Sequence, residues 1–161
     1  QLDRFMFHIV IEHPPEDEEL AVLERTTAVQ DARVERAVGR DDLLACQRLV
    51  RRVPVSDTVM RYALALVRAS RRHASGTLDF VEKWVSYGAS VRAAQYLILG
   101  AKARALTLGR YHVSVEDVRA LAHPVLRHRV LTNFHAESEG VKTDRIIDRL
   151  IEAVPTPRSG M

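Results

Sequence analysis

The sequence predicts a mainly α fold, a helical bundle entered by one short N-terminal strand, and three observations carry that expectation. Ala, Leu, Val and Arg dominate, while aromatics make up only 6% of the 161 residues, a bias toward helix over sheet. Apolar residues recur at helical spacing in several segments that open on capping side chains. Only one run near the start, residues 5–12, is rich in β-branched and aromatic residues.

In that first run Phe5, Phe7, Ile9 and Ile11 alternate on one face, and Pro14-Pro15 ends it. A lone strand cannot stabilise itself, and no second convincing strand follows. Its sheet is therefore expected to lie outside this chain, which opens on Gln-Leu-Asp-Arg-Phe without an initiator Met and reads as a piece of a longer protein. Glu16, Asp17, Glu18 and Glu19 crowd the start of the first helix, where carboxylates suit the positive end of the dipole. Asp41 is positioned to cap a short helix carrying Leu43, Leu44 and Val50. Ser56 is positioned to cap a longer one with Val59, Ala63, Leu66, Val67 and Ser70 on one face.

A long loop is expected over residues 71–89, with Gly76 and Gly88 inside it; loops of that length are often functional. The clearest helix follows, carrying Ala94, Leu97, Ile98, Ala101, Ala105 and Leu108 at helical spacing, with Gly109 as its stop. Ser114 and Asp117 form a capping box for a helix running through Ala122, before Pro124. Thr143 is read as the cap of a last amphipathic helix with Ile146, Ile147, Leu150 and Ile151, and Pro155–Met161 as a fraying tail. No internal repeat or low-complexity stretch interrupts this order.

Charge and cysteine content narrow the function classes. The 24 Lys and Arg nearly cancel 21 Asp and Glu, leaving a net charge of +3, and the arginines are scattered. So small an excess exerts little sequence-independent pull on phosphate backbones, despite a pI near 9.3. Cys46 is the only cysteine, which leaves no internal disulfide and no cysteine zinc cluster, and makes a reducing cytoplasmic setting the default expectation. No apolar run is long enough to span a bilayer as a helix. The seven histidines show no metal-ligand spacing.

The most informative stretch is Tyr87-Gly88-Ala89-Ser90-Val91-Arg92-Ala93. Gly88 relaxes the backbone before the long helix, Ser90 caps it, and Arg92 falls in its first turn. A cation there faces an already positive dipole. An anion brought to that helix end would be held by exposed N–H groups and the guanidinium together, the makings of a phosphate sensor. The alternative is an arginine that turns away to pair with a nearby carboxylate. Phe80, Trp84 and Tyr87 offer either a partner patch or, more in keeping with their size, packing beneath the long loop.

Gly88-Ala89-Ser90-x-Arg92-Ala93 resembles the sensor 2 motif of MoxR-type AAA+ ATPases, relatives of the magnesium chelatase I subunit. Gln1-Leu2-Asp3-Arg4-Phe5 resembles the end of their ATPase core. Val53-Pro54-Val55-Ser56 and the Tyr62 region look like their lid. Gly109-Arg110, Val113-Ser114-x-Glu116-Asp117-Val118 and Leu126-Arg127-His128-Arg129-Val130 then follow in the family's order.

The resemblance implies a helical AAA+ lid bundle over residues 15–154, with 1–14 as the last strand of the core and 155–161 as a flexible tail. It implies that Arg92, with Ser90, contacts the terminal phosphates of a nucleotide, and that Arg4 is an arginine finger offered to ATP on a neighbouring subunit. ATP and Mg2+ would be bound by the parent protein, with no cofactor held by this stretch alone. The implied partners are the AAA+ core of the same protein, further copies in a ring, expected to be a hexamer, and proteins with von Willebrand factor A domains. The implied work is chaperone-like remodelling or maturation of other proteins. One departure is that Val91 stands where the family usually has Pro before the sensor arginine; proline favours but is not required at a first helical position.

A Gly-x-x-x-x-Gly-Lys-Ser/Thr phosphate loop is absent, as is an apolar strand ending in Asp-Glu, so the chain is not expected to turn over ATP by itself. Two other readings stay open. One is a helical nucleic-acid-binding or regulatory domain, motivated by the pI; the other is a magnesium chelatase subunit, sharing the fold and differing in partner.

Overall fold

The computed structural model describes residues 1–29, 34–73 and 76–157. Its chain order is a 3-10 turn (Leu2–Arg4), α1 (Glu16–Thr27), α2 (Arg40–Arg52), α3 (Asp57–Ala69), α4 (Asp79–Trp84), β1 (Val85–Tyr87), α5 (Val91–Thr107), α6 (Val115–Ala120), α7 (Ala122–Leu126), β2 (Leu131–Thr132), α8 (Phe134–Ser138) and α9 (Thr143–Ala153). The mainly helical expectation holds.

α5 is the axis of the bundle, packed by α2, α3, α6 and α7. Its buried positions are Ala93, Leu97, Gly100, Ala101 and Ala105. Small residues on a helix surface let neighbouring axes approach closely. α3 answers with Val59, Tyr62, Ala63, Leu66 and Val67, the face expected from its spacing, and Ser56 caps it by accepting the Val59 N–H at 3.3 Å. α9 closes the far side with Ile146, Ile147 and Leu150 fully buried. Each such aliphatic side chain contributes about 1.5–3 kcal/mol by leaving water. Neither α1 nor α2 contributes a buried residue.

α5 ends as expected at Gly109, whose φ of +69° lies in the left-handed region. The Gly109 N–H donates to Leu106 O at 2.9 Å and the Arg110 N–H to Ala105 O at 2.8 Å, satisfying the last carbonyls of the helix. Leu108, placed on the core face by spacing alone, is instead exposed at this end.

Other expectations need correction. Residues 5–12 form no strand; their backbone partners are helical ends, with the His8 N–H donating to Pro124 O at 2.7 Å. Strand composition produces a ladder only where a second strand offers its own N–H and C=O groups, and here Ile9 and Ile11 stay exposed. The long loop over 71–89 contains α4 and β1, and a second strand does exist downstream: β1 and β2 pair antiparallel, Val85 with Thr132 and Tyr87 with Leu131. Asp41 is not the cap of α2. Gly39 occupies that position, and Asp42 reaches back to accept its N–H at 3.0 Å. The helix expected through Ala122 stops at Ala120, and Pro124 lies inside α7. It falls in the first turn, where a missing N–H loses no intrahelical bond. Thr143 is the first residue of α9, not its cap, which is Lys142. Of the expected tail, Thr156 accepts a hydrogen bond from Arg119 at 3.3 Å, and residues 158–161 lie outside the described residues.

The capping box of α6 has a second role that spacing did not announce. Asp117 is fully buried, and its carboxylate accepts the Ser114 N–H at 2.9 Å. It also accepts Arg104 Nη1 at 2.5 Å and both terminal nitrogens of Arg110, at 2.8 and 2.5 Å. Burial alone would raise the Asp117 pKa, but hydrogen bonds from Arg110, the Ser114 backbone, Arg104 and the Ser114 hydroxyl outweigh it and hold the carboxyl well below its ordinary range. A depressed folded-state pKa contributes stability that is present above the unfolded value of about 4 and is lost as pH falls toward the folded one. Asp117→Asn should therefore lower the unfolding free energy by about 2 kcal/mol near neutral pH. Urea unfolding across a pH series checks this: the gap to wild type narrows below about pH 4.

Candidate functional site

The segment Gly88–Arg92 is delivered to the head of α5 by β1 and is held from behind by the end of α3. Gly88 is required there by contact. A Cβ built on it would lie 2.3 Å from Ser70 O and 2.7 Å from Arg71 Cα, well inside van der Waals range. The buried Ser70 donates its hydroxyl to Val67 O at 2.7 Å and accepts the Ala89 N–H at 2.9 Å. Arg71 Nε donates to Ala89 O, also at 2.9 Å. The turn before α5 is thus fixed on both its N–H and its carbonyl side.

Ser90 is the N-cap of α5, its hydroxyl oxygen accepting the Arg92 N–H at 3.3 Å. Arg92 is the second residue of the helix, and its guanidinium reaches the Asp3 carboxylate, with Nη1 to Oδ2 at 3.1 Å. The Ser90 hydroxyl lies 3.2 and 3.3 Å from the two Asp3 oxygens. The carboxylate pairing weighed as the alternative reading is therefore present, but it is open to solvent: Arg92 is 49% and Asp3 40% exposed.

Asp3 is shared with a very different arginine. The Arg129 side chain is 1% exposed, and its Nε donates to Asp3 Oδ1 at 3.0 Å. Nη2 donates to Asp3 O at 2.7 Å and to Phe5 O, and Nη1 donates to Met6 O at 3.3 Å and to Val125 O. The guanidinium also lies 5.0 Å from the Tyr96 ring centroid. Burial lowers the Arg129 pKa, opposed by its bond to Asp3. It nevertheless remains a cation, as guanidinium groups do in proteins. Around it, His128 Nε2 donates to Phe5 O at 2.9 Å and Arg127 Nη1 to His8 O at 3.2 Å, while Arg127 binds Asp144 through Nε and Nη2.

Arg4 follows Asp3 directly. Its side chain is exposed, lies 5.3 Å from the Phe5 ring centroid, and makes no ion pair among the described residues. Its carbonyl accepts the Tyr96 hydroxyl at 2.8 Å. Ser90, Arg92 and the backbone of Arg4, three residues singled out from sequence, are thus gathered at one end of α5. Asp3, Tyr96, Ser70 and Arg129 were not singled out as site residues. Arg129 sits inside the Leu126-Arg127-His128-Arg129-Val130 motif, but no periodicity links positions 3 and 129. The expected packing of Phe80 and Trp84 is observed, both being buried, whereas Tyr87 is exposed.

Comparison with known proteins agrees with this architecture. Residues 80–150 match the family model of the AAA lid domain. The chain is 30% identical over 158 residues to Chaperone MoxR1 of Mycobacterium tuberculosis, covering 98% of itself and 42% of that protein. It is 31% identical over 160 residues to Uncharacterized protein YeaC of Bacillus subtilis, covering 98% of itself and 47% of that protein. In structure it matches a Cytophaga hutchinsonii protein assigned as an ATPase, with a TM-score of 0.89 and 32% identity, covering 98% of this chain and 48% of that one. The chain spans less than half the length of each. The helices over residues 80–150 match an AAA lid domain. Within that class, the chain resembles the MoxR-type AAA+ ATPases over 98% of its own length, as their lid region.

Gly88→Ala tests how the site is held. The added methyl should push the turn off Ser70, lowering stability by about 2 kcal/mol. It should also speed amide exchange at Ala89 by more than the change in global stability accounts for. Exchange at Ala89 that tracks global unfolding alone would show that the contact with α3 does not position the turn.

Proposed function

We propose that this lid reads the phosphate end of a nucleotide bound by the AAA+ core of the same protein, with Arg92 and Ser90 as the reading groups. The observation that carries this is a half-exposed guanidinium at the second position of α5, where the helix dipole makes a cation unfavourable unless an anion is at hand. Ser90 presents its hydroxyl beside it, and the turn behind is fixed by Ser70 and Arg71. Fixed donors of this kind suit a transferring phosphoryl group, because they need no reorganisation as charge develops.

On this reading Arg4 is the arginine finger. Its exposed side chain, free of ion pairs among the described residues, is offered to ATP on a neighbouring subunit. The parent is then a ring, with a hexamer as the working expectation. Its cycle of ATP binding and hydrolysis drives chaperone-like remodelling of partner proteins in the cytoplasm, von Willebrand factor A domain proteins among them. The name of the mycobacterial relative, Chaperone MoxR1, supports the chaperone part. Mg2+ enters with ATP on the core; among the described residues no group of three His, Cys, Asp or Glu is placed to hold a metal. Nucleic-acid binding is the weaker reading, because Arg104, Arg110, Arg127 and Arg129 are committed to internal acceptors.

The test is Arg92→Ala in the full-length ATPase. Turnover should fall by about 10-fold or more while the lid stays folded, since removal of one preorganised donor typically costs at least that much. Unaltered turnover would count against the reading role. The 161-residue chain alone should show no Mg2+-dependent ATP hydrolysis.

A further inference from the structure

We propose that Asp3 is an internal latch: its carboxylate occupies the donors of Ser90 and Arg92 until a polyphosphate displaces it, and its release is passed to the adjoining Arg4. This rests on the phosphate-reading role of Arg92 and adds to it a competitor and a transmission step.

Three donors converge on this one carboxylate. Oδ1 takes Arg129 Nε at 3.0 Å and Oδ2 takes Arg92 Nη1 at 3.1 Å, while the Ser90 hydroxyl stands between them at 3.2 and 3.3 Å. Two guanidinium groups and a hydroxyl are also what a phosphate oxygen would seek. One carboxylate against two arginines leaves a net positive charge, so a group carrying two or more negative charges competes well for the exposed partner.

Exposure decides where the exchange occurs. Arg129 is 1% exposed, and its remaining N–H groups are taken by four backbone carbonyls, so it stays bound. Arg92 is 49% exposed, and the Ser90–Asp3 contact is exposed as well. A ligand arriving at α5 therefore takes Arg92 and Ser90 from Asp3 and leaves Arg129 in place. Asp3 then keeps one of three side-chain donors. Asp3 and Arg4 share a peptide bond within the 3-10 turn, so the turn that presents Arg4 loosens when Arg92 is occupied. Phosphate occupancy at Arg92 thereby alters the presentation of the neighbouring Arg4.

The experiment uses the 161-residue chain and inorganic tripolyphosphate. Asp3→Asn keeps an oxygen acceptor for Arg129 and Ser90 but removes the charge that holds Arg92. It should bind tripolyphosphate about five-fold tighter than wild type, the most that loss of one exposed competing pair supports. Arg92→Ala should lose binding. Asp57→Asn, which frees the exposed Arg61 elsewhere on the surface, controls for the generic loss of a negative charge and should leave affinity unchanged. In wild type, saturating tripolyphosphate should speed amide exchange at Phe5 and His8, and in Arg92→Ala it should not.

If Arg92→Ala binds as well as wild type, the phosphate-reading role itself fails. If Arg92→Ala loses binding while Asp3→Asn matches wild type or gains no more than Asp57→Asn, the reading role stands and the latch is overturned. Should Asp3→Asn prove unstable, wild-type exchange decides, and unchanged exchange at Phe5 and His8 overturns the latch.

Discussion

The guanidinium of Arg129 is the interaction on which the arrangement of this lid depends. Its five N–H groups find five acceptors: the Asp3 carboxylate and the carbonyls of Asp3, Phe5, Met6 and Val125. A buried cation is tolerated only when its charge is opposed and its donors are satisfied; here the charge and four of the donors are met by a segment more than 120 residues away in the chain, and the fifth donor by Val125, four residues back. Lysine offers three donors from a single nitrogen and could not span the same set. The N-terminal segment joins no sheet among the described residues. It is held to the bundle by this fork, by Arg127 and His128 just before Arg129 in sequence, and by the Phe7 ring seated over Gly100, where a Cβ would lie 3.2 Å from Phe7 Cζ.

From that constraint the geometry at the head of α5 follows. Arg129 places Asp3, and Asp3 supplies the anion that makes Arg92 tolerable at a positive helix end. On the other flank, Gly88 lies against the backbone of Ser70 and Arg71, so the turn carrying Ser90 cannot drift away from α3. The site is thus set between two fixed walls, one from the N-terminal segment and one from the end of α3. Neither wall belongs to the helix that bears Arg92. This is why the local motif alone shows the chemistry but not the setting.

What was legible in the residues, and what was not, divides along the range of the interactions. α3 and α5 could be read because their spacing, the Ser56 and Ser90 caps and the Gly109 stop are local signals that all agree. α4, β1 and β2 were missed because six, three and two residues are too few to establish a period, and their formation depends on packing and pairing with distant partners. Residues 5–12 carry strand composition without a ladder for the converse reason: a ladder is a property of two segments, and no strand pairs with them among the described residues. Thr143 and Asp41 were plausible caps displaced by one or two positions, the usual uncertainty where several polar residues adjoin a helix start. At the site, Arg92 and Ser90 could be read because cap and first turn are local. Asp3 and Arg129 could not be paired, because their contact reports the closed fold.

The two arginines that share Asp3 place one carboxylate in two opposite environments at once. A buried ion pair with every donor satisfied is costly to break, because the loss leaves a charge without solvent or partner. An exposed pair of the same chemistry contributes little and is readily exchanged, since water and competing anions reach both ends. Arg129 and Arg92 stand at these two extremes while binding opposite oxygens of one side chain. The buried contact therefore fixes where the carboxylate is, and the exposed contact leaves what it neutralises open to competition. Exchanging the two environments would leave the N-terminal segment loosely held and the helix end permanently occupied. The gradient of burial across Asp3, more than the identity of either arginine, is what would let this end of the lid take up the proposed phosphate without coming apart.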